Sequence, residues 1–600
     1  MLTWPGAVVA SRRTQPSSQR MATTKSSALN AAALFTGGAF VGAALYTVAR
    51  SLVQASITKT PKSQVKLVEA PPKAPGPDQD EQGLYVAPVE SDAASMYDVC
   101  GVMGQPYEPR SAIPAVQPQD THVDLGTDTT LVSDVQDLPN LNKNMLTLSL
   151  LVMEMLALEY SGTIFTYESS STGFGAFCES QHDKRVIPMQ TRAGAGQAVV
   201  GFVAGQGSSG SAVPNSSSTV TVLTNAAGFL AMGPSLATIP ADNTDLVVHV
   251  SGINQGMHDD LRVANDYASA LSTAAMLSDV GYEVVLSASR QEAIDVAHYA
   301  YTRQTKRAFV HIFDGAYAAC ERSVLSPPSS KAPEPCTYTG PSAPATALVM
   351  PHGAMSHRAR ALLLSLPPHF RGKVGIVSVR RLGSWDAAVL RRAVPTSVQT
   401  LRVVEEAFSS TDGALYADVL ESVLSGALRG VRAQSLVLAP GQALCPEAWH
   451  ALLSLAAEQA APLSLKDVLA RAAAVQVPDL MPFSNSHLVT FVGTDAGVSV
   501  PTAELLARSL FDASKYVRML SRYDNYAAGG AVRSDVLMSE RPGVDVPMDV
   551  LARDGTSHVV VVSEPASLLP GYRVLEALRQ DGTLVLNAAN WTPEDVQGAL

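Results

Sequence analysis

The chain has 600 residues, of which 46% are hydrophobic and 16% charged, so it can bury several cores and holds about three or four domains at roughly 100 to 200 residues each. The formal net charge of −11 and the lack of a basic run with interleaved aromatic residues argue against a general nucleic-acid-binding protein. The five cysteines form no CxxC pair, which predicts no metal or iron–sulfur site and is typical of a reducing compartment.

Residues 1–60 have the composition of a targeting segment. No Asp or Glu occurs before Arg50, and Ala31–Ala49 is an uncharged run about long enough to cross a bilayer as a helix. Three interpretations stay open: a membrane anchor, a cleaved organelle-targeting segment, or a non-native extension of the reading frame. Residues 61–141 are rich in Pro and Asp and are predicted to be a linker.

From residue 142 onward, short strands rich in β-branched residues alternate with helical segments. This alternation predicts an α/β fold of consecutive parallel-sheet domains covering 142–325, 343–477 and 485–600, with a Pro-rich break between the first two. The apolar segment Leu146–Tyr160 is predicted to be a helix. The predicted strands are Gly162–Tyr167, Ser218–Leu223, Asp245–Val250, Glu283–Leu286, Ala308–Phe313, Ala347–Met350, Val374–Arg380, Thr400–Glu405, His487–Val492, Ser557–Val562 and Gly582–Asn587.

The stretch Arg185–Phe202 is predicted to be a strand, a turn and a helix whose first turn contains small residues. Such a helix start lets a ligand or another backbone approach closely, and packing is the commoner reason for it. Arg192, Gly194 and Gly196 are the candidate cofactor-binding residues here. Arg192 either binds an anion or diphosphate without catalysis, or pairs with a local carboxylate.

Three further features have weaker functional interpretations. The turn Gly493–Gly497 either holds a phosphate at a helix start or simply connects a strand to a helix. His352 and His357 lack a third metal ligand nearby. Glu168 and Asp266 form an acid/base pair only if they are not solvated loop carboxylates.

Local strings in each predicted domain resemble the amino-terminal part of the pyruvate:ferredoxin oxidoreductase family. The resemblance covers about residues 145–590 and implies a thiamine-diphosphate-binding-like first domain, a transketolase C-terminal-like second domain and a gamma-subunit-like third domain. The strings that carry it are Met189–Ala195, Phe313–Gly315, Lys373–Arg380 and Tyr523–Gly530.

Three departures from that family affect its chemistry. The family's proton-relaying carboxylate falls where this chain has Arg192, whose guanidinium stays protonated. The family's substrate-binding Arg falls at Ile253, and the turn with a substrate-contacting Thr reads Tyr167–Ser170, which places Glu168 near the anionic substrate. The sequence therefore predicts a retained fold with no catalytic residue, and thiamine diphosphate binding is not expected.

Other strings are more similar to the fungal assimilatory sulfite reductase flavoprotein subunit: Ile164–Ser170, Arg192–Gly196 and Asn265–Leu271. This resemblance implies a cytoplasmic, oligomeric scaffold that binds the sulfite reductase hemoprotein beta subunit, with FAD and NADPH held in a carboxyl-terminal module. No flavin- or NADPH-binding motif is recognised in these 600 residues, so no cofactor is expected on them. Membrane or mitochondrial anchoring through Ala31–Ala49 is the alternative localisation.

Three functions therefore stand. The first is the scaffold portion of an NADPH-dependent sulfite reductase flavoprotein, acting in electron transfer. The second is a thiamine-diphosphate-dependent 2-oxoacid:acceptor oxidoreductase that uses Arg192 in a changed role. The third is a non-catalytic scaffold tethered to a membrane, which depends on Ala31–Ala49 being an anchor.

Overall fold

The computed structural model describes most of the chain from Leu146 to Asn587. The ranges it leaves out in between are 168–172, 190–193, 209–217, 254–266, 384–386, 409–412, 441–443, 459–460, 482–484, 495–496, 514, 524–529, 544 and 570–571. Ala31–Ala49, Glu168, Arg192 and Asp266 therefore lie outside the described residues.

The first sheet has seven strands and is parallel except at one edge. Its strands are β2 (Thr163–Tyr167), β3 (Val186–Met189), β4 (Val220–Asn225), β5 (Leu246–Ser251), β6 (Glu283–Leu286), β7 (Phe309–Phe313) and the antiparallel β12 (Arg381–Leu382), in the order β12-β6-β7-β5-β4-β2-β3. Strands β4, β5, β6 and β7 are buried along their whole length because helices cover both faces.

Six of the helices in this part of the chain are α1 (Ser149–Tyr160), α2 (Ala176–Ser180), α3 (Ala195–Ser208), α4 (Ala226–Leu236), α5 (Tyr267–Asp279) and α6 (Arg290–Thr302). Helix α4 packs against α3 and α5, and α1 packs against α6. Side-chain caps fix the amino-terminal ends of two helices. Asn225 accepts from the Gly228 N–H at 2.7 Å at the start of α4, and Ser289 forms a capping box with Glu292 at the start of α6.

The second sheet has five strands in the order β14-β13-β10-β11-β9. They are β9 (Cys336–Thr339), β10 (Thr346–Pro351), β11 (Val374–Val379), β13 (Thr400–Glu406) and β14 (Arg432–Leu438), with only β9 antiparallel. The helices between and after them are α8 (Ala354–Leu363), α9 (Pro368–Arg371), α10 (Ala387–Ala393), α11 (Ala414–Leu424), α12 (Pro446–Glu458) and α13 (Leu465–Ala472).

The third sheet is mixed and draws strands from both ends of the described chain. Its order is β1-β8-β16-β17-β15-β18-β19, formed by β1 (Leu146–Leu148), β8 (Glu321–Val324), β15 (His487–Thr494), β16 (Tyr516–Tyr523), β17 (Ala531–Ser539), β18 (Ser557–Val562) and β19 (Leu578–Leu586). Helix α7 (Gly315–Cys320) leads into β8, and α14 (Ser499–Asp512), α15 (Met548–Leu551) and α16 (Pro565–Leu568) also lie in this part of the chain. Strand β16 pairs antiparallel with both β8 and β17.

The α/β fold class predicted from the sequence is confirmed, with two corrections in detail. The helix predicted to begin at Leu146 begins at Ser149, because Leu146–Leu148 pairs with β8. The third sheet is not parallel, since β17 runs antiparallel to both of its neighbours. The domain limits 142–325, 343–477 and 485–600 stay predictions, and β1 and β8 of the first of these ranges lie in the third sheet.

No helix in the described part of the chain is long and apolar enough to cross a membrane.

Candidate functional site

The predicted site lies at the carboxyl edge of the first sheet. Strands β2, β3 and β5 are parallel to their neighbours and end at this edge, at Tyr167, Met189 and Ser251. The segments that follow them include the predicted positions Glu168 and Arg192, which are outside the described residues. The structure therefore places the ends of the three relevant strands together, and the side chains of Glu168 and Arg192 stay predictions.

Gly196 is buried where α3 crosses α4. A methyl group built on Gly196 would lie 2.7 Å from Ser235 Cβ and 3.0 Å from the Met232 carbonyl oxygen, so only glycine allows this approach. Gly194 is exposed in the turn before α3, and its carbonyl accepts from the Ala198 N–H at 3.0 Å. The structure gives Gly196 a packing role, and the predicted cofactor contacts of both glycines stay predictions.

Ile253 is half-buried just beyond β5, beside the end of β7. The Gly252 N–H donates to the Phe313 carbonyl at 2.9 Å, which ties the two strand ends together. A methyl group on Gly315 would collide with Ser251 Oγ and lie 3.1 Å from Ile253 Cβ. An aliphatic side chain thus closes this part of the edge, where the family resemblance places an arginine.

Asp314 is a candidate residue that the sequence did not single out. It follows β7 and caps α7 by accepting from the Tyr317 N–H at 3.2 Å, and it is 5% exposed. Burial raises the pKa of Asp314 to about 7, although Arg358 opposes the shift. A carboxyl group that titrates near neutrality at a strand end suits proton transfer, and the string Phe313–Gly315 was the signal available for it.

Buried ion pairs join this edge to the second and third sheets. Glu321, on β8, is bound by Arg290 at 2.6 Å and by Arg518 at 2.7 Å, and Arg290 also reaches Asp545 at 3.1 Å. Burial opposes ionisation of Asp545, yet Arg290, Arg518 and His357 lower its pKa to about 2. Asp545 itself is 43% exposed, whereas Glu321, Arg290 and Arg518 are buried. Losing one of these three side chains therefore leaves a buried charge uncompensated.

The second sheet has its own crevice, where the strand order reverses between β10 and β13. Ligands of open α/β sheets bind at such a point. Here Tyr267 fills the crevice. Its side chain is 1% exposed and its hydroxyl oxygen accepts from the Ala354 N–H at 3.4 Å, and a methyl group on Gly353 would lie 2.8 Å from that oxygen.

Glu405, at the end of β13, caps α11. Its carboxylate accepts from the N–H groups of Leu415 at 3.0 Å and Tyr416 at 2.8 Å.

The turn Gly493–Gly497 in the third sheet brings a carboxylate close to the start of α14. The Thr494 N–H donates to Glu564 at 3.0 Å, and a methyl group on Gly497 would lie 2.7 Å from Glu564 Oε1. The chain therefore supplies its own anion where a phosphate would bind.

His352 and His357 bind different partners. His352 Nε2 lies 2.7 Å from Glu292, and His357 Nε2 lies 2.8 Å from the Asp545 carbonyl oxygen. Among the described residues no group of three or more His, Cys, Asp or Glu side chains is arranged to hold a metal ion.

The part of the edge that the structure describes does not fit the carboxylate of a 2-oxoacid substrate, and the expectation that thiamine diphosphate is not bound stays a prediction. Ile253 offers no charge for a substrate carboxylate, and a bidentate pair with such a carboxylate needs a guanidinium. Ser251 Oγ is buried without a hydrogen-bond partner among the described residues, but it lies against Gly315.

Comparison with known proteins gives a partial sequence match. No family model matches the chain. A pyruvate-flavodoxin oxidoreductase of Nostoc sp. (strain PCC 7120 / SAG 25.82 / UTEX 2576) is 31% identical over 132 residues, which are 22% of this chain and 10% of that protein. The match thus spans about a tenth of the relative's length. It supports the resemblance to pyruvate:ferredoxin oxidoreductases; the finer assignment to sulfite reductase finds no support here and stays a prediction.

Three solved structures are similar in part. An inactive beta4 tetramer of a split gene transketolase has a TM-score of 0.35 at 14% identity, over 54% of this chain and 95% of that one. A 2-oxoglutarate:ferredoxin oxidoreductase from Magnetococcus marinus has a TM-score of 0.37 at 8% identity, over 52% and 65%. A pyruvate oxidoreductase subunit of Thermotoga maritima has a TM-score of 0.15 at 22% identity, over 19% and 56%. The fold class rests on the strand orders given above.

Proposed function

We propose that this chain is a non-catalytic structural component of an electron-transfer assembly of the 2-oxoacid oxidoreductase type. The observation that carries the proposal is the placement of Ile253 against Gly315 at the carboxyl edge of the first sheet. An aliphatic side chain there cannot pair with the carboxylate of a 2-oxoacid. The similarity to the Nostoc pyruvate-flavodoxin oxidoreductase supports the assembly type.

The junction of the three sheets supports a structural role. Glu321 is 1% exposed between two arginines that come from different sheets' segments, and Arg358 binds Asp549 at 2.6 Å across the same junction. Such a network fixes relative positions at a high desolvation cost, which suits a rigid body on which other modules assemble.

Calorimetry with thiamine diphosphate and Mg²⁺, followed by a pyruvate-oxidation assay with an artificial electron acceptor, tests the proposal. We expect neither heat of binding nor turnover from the purified chain. Tight binding with turnover would reject the structural role.

The second candidate is a working thiamine-dependent 2-oxoacid:acceptor oxidoreductase. Asp314 favours it, because a buried carboxyl with a pKa of about 7 at a strand end suits a proton-transfer role. The same assay decides between the two, and turnover that is lost in Asp314→Asn and retained in Asp512→Asn, at an exposed site, would establish the enzyme.

The partner distinguishes the finer forms of the structural role. A sulfite reductase flavoprotein scaffold should co-purify with the hemoprotein beta subunit, whereas a component of a 2-oxoacid oxidoreductase assembly should not retain that subunit. For the membrane-tethered scaffold, carbonate extraction should leave the intact chain in the membrane fraction. Release of the intact chain into the soluble fraction would reject the membrane-tethered scaffold.

A further inference from the structure

A chain of six hydrogen-bonded side chains crosses the interior of the first sheet, and no function discussed so far uses it. We name it the histidine chain. It consists of Ser287, His311, His249, Tyr301, Thr221 and Ser161, and its consecutive polar atoms are 2.8, 3.1, 3.0, 3.2 and 2.7 Å apart.

The two histidines lie side by side in the middle of the sheet. His249 on β5 is the register partner of His311 on β7, both side chains are fully buried, and their Nδ1 atoms face each other. Helix α6 covers them through Tyr301, whose ring stacks on Tyr160 of α1 at 5.5 Å between centroids. Water therefore has no direct access to either imidazole.

The hydrogen bonds limit how many protons the pair can hold. With both rings neutral, one Nδ1 donates to the other, and the remaining bonds then run in one direction along the histidine chain. If both rings were protonated, both Nδ1 atoms would carry a hydrogen, and two cations would face each other across adjacent strands. The folded sheet thus has no arrangement for two extra protons.

The charged surroundings add to this limit. Burial lowers the pKa of His249 to about 3, with Arg303 at the end of α6 adding to the effect, and burial together with His249 lowers the pKa of His311. The groups that face the two rings are the hydroxyls of Ser287 and Tyr301, the Phe313 ring and Arg303.

The buried histidines of the junction lie beside carboxylates. His352 contacts Glu292 at 2.7 Å, and the Asp545 carboxylate lies 3.7 Å from His357. Burial still lowers the pKa of His352 to about 4, against the effect of Glu292, and it also lowers the pKa of His357. These histidines therefore also take up protons on opening, so the second sheet is not an acid-insensitive reference for the first.

We propose that the histidine chain is an acid-sensitive lock, so that mild acid opens β5 and β7 of the first sheet. The direction of the pH effect follows from the linkage between protonation and folding. Histidines with a lowered pKa in the folded state are protonated on unfolding, so stability is complete above the unfolded value of about 6.5 and is lost as pH falls below it. Each proton taken up only on opening raises the opening equilibrium about tenfold per pH unit in that range. Asp314 at the end of β7 acts in the opposite direction, because its raised pKa makes it release a proton on opening, and it offsets one of the two histidine protons. This inference does not depend on the proposed function.

Hydrogen exchange of the full chain tests the acid sensitivity. Between pH 7 and pH 5, after correction for intrinsic rates, amides of residues 246–251 and 309–313 should lose protection by tenfold or more. A loss smaller than tenfold in both segments would overturn the proposal.

Paired substitution tests the cause. In the double variant His249→Gln and His311→Gln, the pH dependence of opening at β5 and β7 should fall by at least tenfold between pH 7 and pH 5. His369→Gln, at an exposed site on α9, should leave it as in the wild type. An unchanged pH dependence in the double variant would also overturn the proposal. If that variant does not fold, His249→Gln alone should show the smaller pH dependence, and an unchanged one would overturn the proposal.

Discussion

The first and second sheets are both largely parallel, but they end differently at their carboxyl edges. In the second sheet, Tyr267 fills the crevice between β10 and β13, and Glu405 caps the helix that follows β13. In the first sheet, the edge carries the hydroxyl of Ser251, the aliphatic Ile253 and the titratable Asp314. The same architecture thus has one edge closed by the chain's own polar contacts and one that retains a group able to exchange a proton.

The largest effect is expected from Tyr267→Ala, which reopens the crevice of the second sheet. Loss of a fully buried aromatic ring should lower the free energy of unfolding by about 3 to 5 kcal/mol, measured by urea denaturation. Tyr267→Phe is the control, since it loses only the acceptor for the Ala354 N–H and should cost about 1 to 3 kcal/mol. Equal costs for the two variants would show that the ring does not close the crevice.

Asp314→Asn tests the edge of the first sheet. Because the folded-state pKa is raised, the wild-type contribution is complete below the unfolded value of about 4 and is lost as pH rises toward 7. The variant should therefore gain on the wild type by about 1 kcal/mol per pH unit across this window, measured by urea unfolding at pH 5 and pH 7. Asp512→Asn, at an exposed site, should show no such trend, and a flat difference for Asp314→Asn would contradict the assignment.

Glu405→Gln tests the cap of α11. The substitution replaces charge-assisted bonds to the N–H groups of Leu415 and Tyr416, so it should cost about 1.5 to 3 kcal/mol in chemical denaturation. Glu421→Gln, at an exposed site on the same helix, should cost under about 0.5 kcal/mol. If the two variants were equally stable, the cap would not matter.

A glycine pair on α3 separates packing from intrinsic helix propensity. Gly196→Ala should cost about 1 to 3 kcal/mol, because its methyl group would press on Ser235. Gly201→Ala has nothing within 4 Å of the new methyl group and should stabilise the protein by up to about 1 kcal/mol. Thermal unfolding of both variants measures the difference, and destabilisation by both would argue against crowding at Gly196.

The smallest effect is expected from Arg192→Glu, which restores the carboxylate of the resembled family. Pyruvate oxidation should stay absent because Ile253 and Glu168 are unchanged. A variant that turned over pyruvate would show that these two residues matter less than Arg192.

The sequence predicted the first sheet well and missed much of the third. Strands β4, β5 and β7 are apolar runs next to turn residues, so the local sequence pattern was sufficient to predict them. Strands β16 and β17 carry Arg518, Arg522 and Asp535, which read as solvent-facing but are buried as ion pairs. The partner of Arg518 is Glu321, 197 residues away in the sequence. A pairing over that separation cannot be predicted from a local sequence pattern.

The candidate site was predictable only in its location. The alternation of strands and helices in the sequence predicts where the strands end. The string Asn265–Leu271 does not reveal the role of Tyr267, since that role depends on β10 of another sheet. The role of Asp314 could not be predicted because its pKa depends on burial and on the charges of Arg358 on α8 and Asp549 on α15, which sequence spacing does not reveal.

The position of β1 and β8 in the third sheet has a practical consequence for dividing the protein. A fragment ending at Ser342 would keep these two strands without β16, which pairs with β8, and a fragment starting after Ser342 would leave that edge of β16 unpaired. Bare edges of this kind recruit other chains into aggregates. Expression trials should therefore keep Leu146–Asn587 together, and a protease that cuts between the first two sheets should leave pieces that still co-migrate under native conditions.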